Sequence, residues 1–162
     1  MSNYEKGMAI LEERFGSNKD NVISLATIML EPTADGKPRP IVRDINAYYK
    51  DGVFYSVTWA KSTKMQQIAK NNEVGVAVCF GWFNASGMGE NLGWVLEPTN
   101  AEIRAKLRSV FEWYDQANNE KDENCCILAV RLTNGIVNIN HHETLIHMDF
   151  ANKSATVTGK AL

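Results

Sequence analysis

Seven consecutive residues, Thr58 to Lys64, combine the side chains that proteins use to bind phosphate. The segment carries three hydroxyls and two cations, on Thr58, Ser62, Thr63, Lys61 and Lys64. A helix is predicted from Ser62 to Asn71, and a helix N-terminus favours an anion through its free N–H groups and its dipole. The segment therefore suits a phosphate monoester. An alternative stays open, in which Ser62 is only an N-cap and the lysines are only solvated.

A β-hairpin with its turn at Asp51-Gly52 is predicted to bring an arginine towards this segment. The predicted cross-strand pairs are Lys50 with Val53, Ile45 with Thr58, and Arg43 with Ala60. Arginine adds a planar fork of donors and lysine a mobile point charge, so together they suit a phosphate group.

The hairpin and the segment together resemble one known family. The run Arg43-Asp44-Ile45-Asn46-Ala47-Tyr48-Tyr49-Lys50-Asp51-Gly52-Val53-Phe54-Tyr55 is similar to the flavin-contacting hairpin of pyridoxamine 5'-phosphate oxidase-like proteins. Thr58 to Lys64, followed by Gln66-Gln67-Ile68 and Asn71-Asn72, is similar to that family's phosphate loop and helix. The resemblance spans roughly residues 39 to 80, and it implies a split β-barrel that binds flavin mononucleotide (FMN).

The resemblance implies a role for each residue of the site. Four residues would bind the FMN phosphate: Arg43, Lys64, Ser62 and Thr63. Others would line the isoalloxazine ring or the ribityl chain, namely Thr58, the backbone near Ile45 and Val57, and Asn46 at the polar edge of the ring.

The resemblance also implies a homodimer, because flavin in this family lies at a two-fold interface and the other subunit completes the pocket. A glycine-rich loop is predicted from Gly81 to Gly93, and its part from Gly87 to Trp94 resembles uncharacterised bacterial members. We expect this part to reach the partner's flavin, with Asn91 and Trp94 as contacts. In the alternative, Trp94 caps the core of its own subunit.

Two departures from the family pattern argue against oxidation of vitamin B6. Thr63 stands where the true oxidases carry a second arginine, and the C-terminal Trp- and Arg-rich signature is missing. Residues 147–150 are instead His147-Met148-Asp149-Phe150. The function predicted is FMN-dependent oxidoreduction of an unidentified small molecule. The alternatives are a flavin-binding or sensor protein without turnover, and a barrel that binds haem or a deazaflavin.

The remaining reactive side chains predict no second chemistry. The histidines are His141, His142 and His147, and a turn explains the adjacent pair as well as a metal does. If the pair lay in a strand, its side chains would point to opposite faces. We therefore predict no metal site. Cys79 and the Cys125-Cys126 pair lie in predicted apolar strands and are interpreted as buried thiols.

Apolar periodicity predicts a mainly β chain with helical additions. Helices are predicted at 4–15, 62–71 and 97–115, the last with a capping box of Thr99 and Glu102. Strands are predicted at 22–30, 40–48, 53–58, 73–80, 127–132, 136–140 and 145–150, with an optional one at 155–158. This order predicts an antiparallel β-barrel of six to seven strands with two to three flanking helices, in a single domain over residues 1–162. The family resemblance implies that this barrel is a split β-barrel.

Composition excludes several classes of partner. The net charge is -2 and charged residues make up 22% of the chain, so no strongly basic surface for nucleic acid is expected. No apolar stretch has the length of a membrane span, and neither terminus resembles a targeting signal. A cytoplasmic location is predicted.

Overall fold

The computed structural model describes residues 1–162 and contains eight strands and four α-helices. The strands are β1 Asn21–Ile28, β2 Pro40–Lys50, β3 Val53–Trp59, β4 Glu73–Val78, β5 Phe83–Trp94, β6 Cys125–Ile139, β7 Thr144–Asp149 and β8 Ser154–Gly159. The helices are α1 Asn3–Phe15, α2 Thr63–Lys70, α3 Ala101–Val110 and α4 Tyr114–Ala117. None of the helices has the length and apolar composition that a bilayer crossing requires.

All eight strands form one antiparallel sheet in the order β3-β2-β1-β4-β5-β6-β7-β8. An additional pairing of β3 with β6 closes the first six strands into a barrel, and β7 and β8 extend the sheet beyond β6. The predicted mainly β, antiparallel barrel with helical additions is confirmed, with two strands outside the closed barrel.

Strand β6 separates two hydrophobic cores. Cys126, Leu128 and Val130 pack inside the barrel, where Leu11 and Phe15 of α1 join them. Cys125 and Ile127 face the opposite way, into a second core that α3 and α4 cover. Both faces of this half of β6 are therefore buried, which explains why its sequence is a continuous apolar run rather than an alternation.

The hairpin of β2 and β3 opens soon after its turn. Only three pairs form, namely Tyr48 with Tyr55, Tyr49 with Phe54, and Lys50 with Val53. The predicted pairs beyond them are wrong, since Arg43 lies opposite Leu25 of β1 and Thr58 opposite Cys126 of β6. Each strand twists towards the partner on its other side, which leaves a gap between residues 40–47 of β2 and 56–59 of β3.

The predicted loop from Gly81 to Gly93 is wrong, because most of it is strand β5. Two of its glycines, Gly87 and Gly89, permit close approach rather than turns. A Cβ on Gly87 would lie 2.7 Å from the carbonyl oxygen of Arg131, and one on Gly89 would lie 2.9 Å from Cγ2 of Ile68. A glycine-rich sequence here indicates a crowded strand.

The predicted helix from 97 to 115 is also wrong in its length and its cap. A 3-10 turn spans Pro98–Asn100, α3 ends at Val110, and no side chain caps α3. Phe111 is extended, with φ −95° and ψ 99°. It is 1% exposed and stacks on Trp113 with ring centroids 4.8 Å apart. This packing in the second core outweighs the helical periodicity.

Candidate functional site

The start of α2 leaves hydrogen-bonding groups without a partner. Ser62 occupies the N-cap position with an extended backbone, yet its hydroxyl does not cap the first turn. An N-cap hydroxyl ordinarily accepts from an N–H group of that turn. The first N–H groups of the helix have no intrahelical acceptor, and here they have no side-chain acceptor either.

Lys64 lies over this helix start. Its Nζ is 3.5 Å from Oγ of Ser62, and the side chain is half-buried. Burial is the larger cause that lowers the pKa of Lys64, and the positive charge of Arg43 lowers it further. No carboxylate lies within salt-bridge distance of its ammonium group.

Arg43 is held by uncharged groups only. Its guanidinium donates to Oγ1 of Thr27, to the carbonyl oxygen of Leu25 at 3.3 Å and to Oε1 of Gln67 at 3.0 Å. Burial lowers its pKa. Like Lys64, it has no carboxylate partner.

Two partly desolvated cations therefore lie together without a counter-charge. Burial disfavours each charge, and their mutual repulsion adds to that cost. An anion bound between Arg43 and Lys64 would relieve both effects. The hydroxyl of Ser62 and the start of α2 would supply further donors to the same anion.

The residues expected near the flavin ring border the gap between β2 and β3. Thr58 is half-buried opposite Cys126, and Ile45 packs against the barrel core. The side chain of Val57 is buried in the second core, so only its backbone is available for a ligand. The edges of β2 and β3 that face the gap carry no strand partner beyond the pair Tyr48–Tyr55.

Three other predicted contacts make hydrogen bonds elsewhere in the chain. Nδ2 of Asn46 donates to Asp20 at 2.9 Å, and Oδ1 of Asn91 accepts from the backbone of Gly93 at 2.9 Å. Nε1 of Trp94 donates to the carbonyl oxygen of Glu120 at 2.8 Å, and the ring packs on the second core. Within its own subunit Trp94 thus caps the core, as in the alternative interpretation.

Thr63 is exposed at the first position of α2, next to the half-buried Ser62.

Two residues near Arg43 were not predicted from the sequence, namely Thr27 and Gln67, which are 1% and 2% exposed. Thr27 is a polar residue at a buried position of strand β1, and Gln67 lies on the buried face of the amphipathic helix α2. A buried polar side chain requires a hydrogen-bonding partner, and this requirement was the signal that could have identified both residues.

The histidines and cysteines form no further site. His141 and His142 lie in the β6–β7 turn, and the ring of His147 makes a hydrogen bond with Thr158 at 3.0 Å. No group of three or more His, Cys, Asp or Glu side chains is placed to hold a metal ion.

Cys79 is exposed after the end of β4, which corrects the prediction that it is buried in a strand. Cys125 and Cys126 are buried, and burial raises the pKa of Cys126 to about 11.

An open groove of about 800 Å³ lies on the outer face of the sheet. Strand residues alone line it, many of them small or polar, including Ser24, Ala26, Gly75, Ala77 and Ser86. Neither Arg43 nor Lys64 lines the groove, so the paired cations and the groove are separate features of the surface.

No protein-family model matches the sequence, and neither does any curated protein. Solved structures do match. A pyridoxamine 5'-phosphate oxidase-related, FMN-binding protein of Nostoc punctiforme has a TM-score of 0.56 at 12% identity, over 100% of this chain and 98% of that one. A heme binding protein of Mycobacterium smegmatis has a TM-score of 0.63 at 13% identity, over 90% of this chain and 59% of that one. An F420 reductase has a TM-score of 0.51 at 20% identity, over 76% of this chain and 94% of that one. At these identities the likeness shows a shared fold.

Proposed function

We propose that this chain, which has the fold of pyridoxamine 5'-phosphate oxidase-like FMN-binding proteins, binds FMN and uses it to oxidise or reduce a small molecule. One observation carries the proposal: Arg43 and Lys64 are partly buried beside each other, and no carboxylate neutralises them. FMN ends in a phosphate monoester, whose charge of about −2 at neutral pH would balance two cations.

The rest of FMN would extend from this phosphate site along the gap between β2 and β3. The strand edges near Ile45 and Val57 offer backbone donors and acceptors that no other strand uses. FMN would supply the electron-transfer chemistry, and the residues of the chain would bind and orient it.

A second candidate is a flavin-binding protein without turnover. The side chains that hydrogen-bond to Arg43 and Lys64 belong to Thr27, Gln67 and Ser62, none of which is an acid or base at neutral pH. Reduction of the bound flavin by a nicotinamide or by a substrate at a useful rate distinguishes the enzyme from the sensor. Haem or a deazaflavin in place of FMN would give a different visible absorption spectrum.

The proposal includes a homodimer with the flavin at its interface. The partner would contribute residues of its own β5, with Asn91 and Trp94 as candidates. A cytoplasmic location is also part of the proposal, and the three free cysteines support it.

The test is a titration of FMN into the native protein and into the double variant Arg43→Ala, Lys64→Ala, followed by flavin fluorescence. We expect binding to the native protein and a loss of at least about a hundredfold in the variant, since two charge-assisted contacts are removed. Lys61→Ala, which removes an exposed lysine of the same loop, is the matched control. Equal affinity of the native protein and the double variant would rule out this phosphate site.

A further inference from the structure

We propose that Thr27 and Gln67 are positioning residues that orient the guanidinium of Arg43 for the phosphate. This inference rests on the proposed function and assigns a role to two buried side chains that contact Arg43. It concerns how the site is organised before a ligand arrives.

The three side chains form a closed ring of hydrogen bonds. Nη1 of Arg43 donates to Oγ1 of Thr27, and that hydroxyl donates to Oε1 of Gln67 at 2.6 Å. Nη2 of Arg43 donates to the same Oε1 at 3.0 Å, which completes the ring. The residues come from β1, β2 and α2, so the ring connects two barrel strands to the helix whose N-terminus forms the rest of the site.

The ring has only one consistent set of donors and acceptors. A guanidinium can only donate, so the hydroxyl of Thr27 must accept from Arg43 and give its own proton to Gln67. Gln67 must then present its amide oxygen rather than its nitrogen, since two donors converge on that atom. Because Thr27 and Gln67 are almost fully buried, water cannot replace either of them without a rearrangement of the core.

Two N–H donors of Arg43 remain free to bind a ligand. Arg43 has five N–H donors, and its bonds to Leu25, Thr27 and Gln67 use both protons of Nη1 and one of Nη2. The unused donors are Nε–H and the second proton of Nη2. These two point the same way along one side of the guanidinium plane, and they form the fork that binds two oxygens of one phosphate. The ring thus occupies one end of the guanidinium and leaves a bidentate edge free.

The test compares FMN with riboflavin, which lacks the phosphate. The ratio of their dissociation constants measures the contribution of the phosphate alone. Thr27→Val keeps the shape of the side chain and removes the hydroxyl, whereas Thr27→Ser keeps the hydroxyl. Gln67→Met removes the amide and keeps the length of the side chain. Ile68→Val is the packing control, because Ile68 is buried on the same helix and makes no hydrogen bond to Arg43.

We expect Thr27→Val and Gln67→Met to weaken FMN binding by about tenfold while riboflavin binding stays within about twofold. Thr27→Ser should restore most of the native ratio, and Ile68→Val should leave it unchanged. An unchanged ratio in both Thr27→Val and Gln67→Met, with FMN bound tightly by the native protein, would overturn the positioning role and leave the proposed function intact. A native protein that binds neither FMN nor riboflavin would overturn both. If Gln67→Met does not fold, the Thr27 pair decides the question alone.

Discussion

Lys64 and Arg43 lie close enough together for the charge of one to lower the pKa of the other, although they belong to a helix start and to a barrel strand 21 positions apart in sequence. Neither has an acidic partner. An arrangement that costs stability in the free protein is typical of a binding site rather than of a structural ion pair.

Replacing Lys64 should therefore have opposite effects on the stability of the free protein and on its affinity for FMN. The lowered pKa of Lys64 means that its protonated amine is less favourable in the folded state than in the unfolded state. This loss of folding stability is present at neutral pH and decreases as the pH rises towards 10.5. We expect Lys64→Met to stabilise the free protein at pH 7, by less than about 1 kcal/mol because solvent screens a half-exposed group. The same change should weaken FMN binding by more than about tenfold. Urea unfolding and FMN titration measure the two effects, and Lys61→Met should change neither. Destabilisation by Lys64→Met would contradict this account.

Phosphate compounds should raise the melting temperature of the native protein. A ligand that binds only the folded state stabilises it by about 2.7 kcal/mol at a concentration one hundred times its dissociation constant. We expect FMN to produce a larger shift than riboflavin at equal concentration, and the double variant Arg43→Ala, Lys64→Ala to lose the difference. Thermal melts at several ligand concentrations provide the measurement. Equal shifts for FMN and riboflavin in the native protein would argue against a phosphate site.

Acid should destabilise the protein through Glu120, which lies between Arg104 and Arg108. Both carboxylate oxygens accept from Arg104, at 2.7 and 2.6 Å, and these bonds are the main cause that lowers the pKa of Glu120 from 4.5 to about 2. A lowered pKa stabilises the fold above pH 4.5, and the contribution is lost as the pH falls through about 2. The shift corresponds to up to about 3 kcal/mol.

The measurement is urea unfolding of the native protein and of Glu120→Gln between pH 7 and pH 2. We expect the variant to be less stable at pH 7 by roughly 2 kcal/mol and to depend less on pH in the acid range. Asp115→Asn, which removes a largely exposed partner of Arg108, should cost less than about 0.5 kcal/mol. Parallel acid curves for the native protein and Glu120→Gln would show that another carboxylate is responsible.

Gly87 of β5 should not tolerate a methyl group. A Cβ on Gly87 would meet the carbonyl oxygen of Arg131 at 2.7 Å, and backbone atoms within a sheet cannot move aside cheaply. We expect Gly87→Ala to cost about 1–3 kcal/mol. Gly75→Ala is the control, because its Cβ would make ordinary contact at 3.4 Å with Cβ of Ala26. Both are measured by denaturant unfolding, and similar stabilities would mean that β5 can move away from β6.

One of the three thiols should react in the native state. Cys79 is exposed, whereas Cys125 and Cys126 are buried and the raised pKa of Cys126 disfavours its thiolate. A colorimetric thiol reagent at pH 8 should therefore titrate one group quickly, and all three after addition of denaturant. Cys79→Ser should remove the fast phase. Rapid reaction of two or three thiols in the folded protein would contradict the burial of the β6 pair.

Local features of the sequence were enough to predict much of the fold. The turn at Asp51-Gly52, the strands around it and the helix after Ser62 depend on residues close in the chain, and the structure contains all three. The order of the predicted strands and helices indicated an antiparallel barrel, because it lacks the regular strand–helix alternation of a parallel sheet. The hydroxyls and cations of Thr58–Lys64 are neighbours in sequence, so their suitability for a phosphate was apparent without coordinates.

Only the tertiary structure decided what depends on strands and helices that are distant in sequence. The opening of the β2–β3 hairpin follows from the longer pairings of β2 with β1 and of β3 with β6, which local register cannot show. Gly87 and Gly89 lie in a strand through the pairing of β5 with β6, although glycine locally favours a turn. Glycine is required there because the backbone of Arg131 and the side chain of Ile68 leave no room for a Cβ. Arg43 meets Thr27 and Gln67 because β2 pairs with β1 and α2 packs against β1. The sequence determined which groups the site contains, and the packing of distant elements determined which donors of Arg43 are left free.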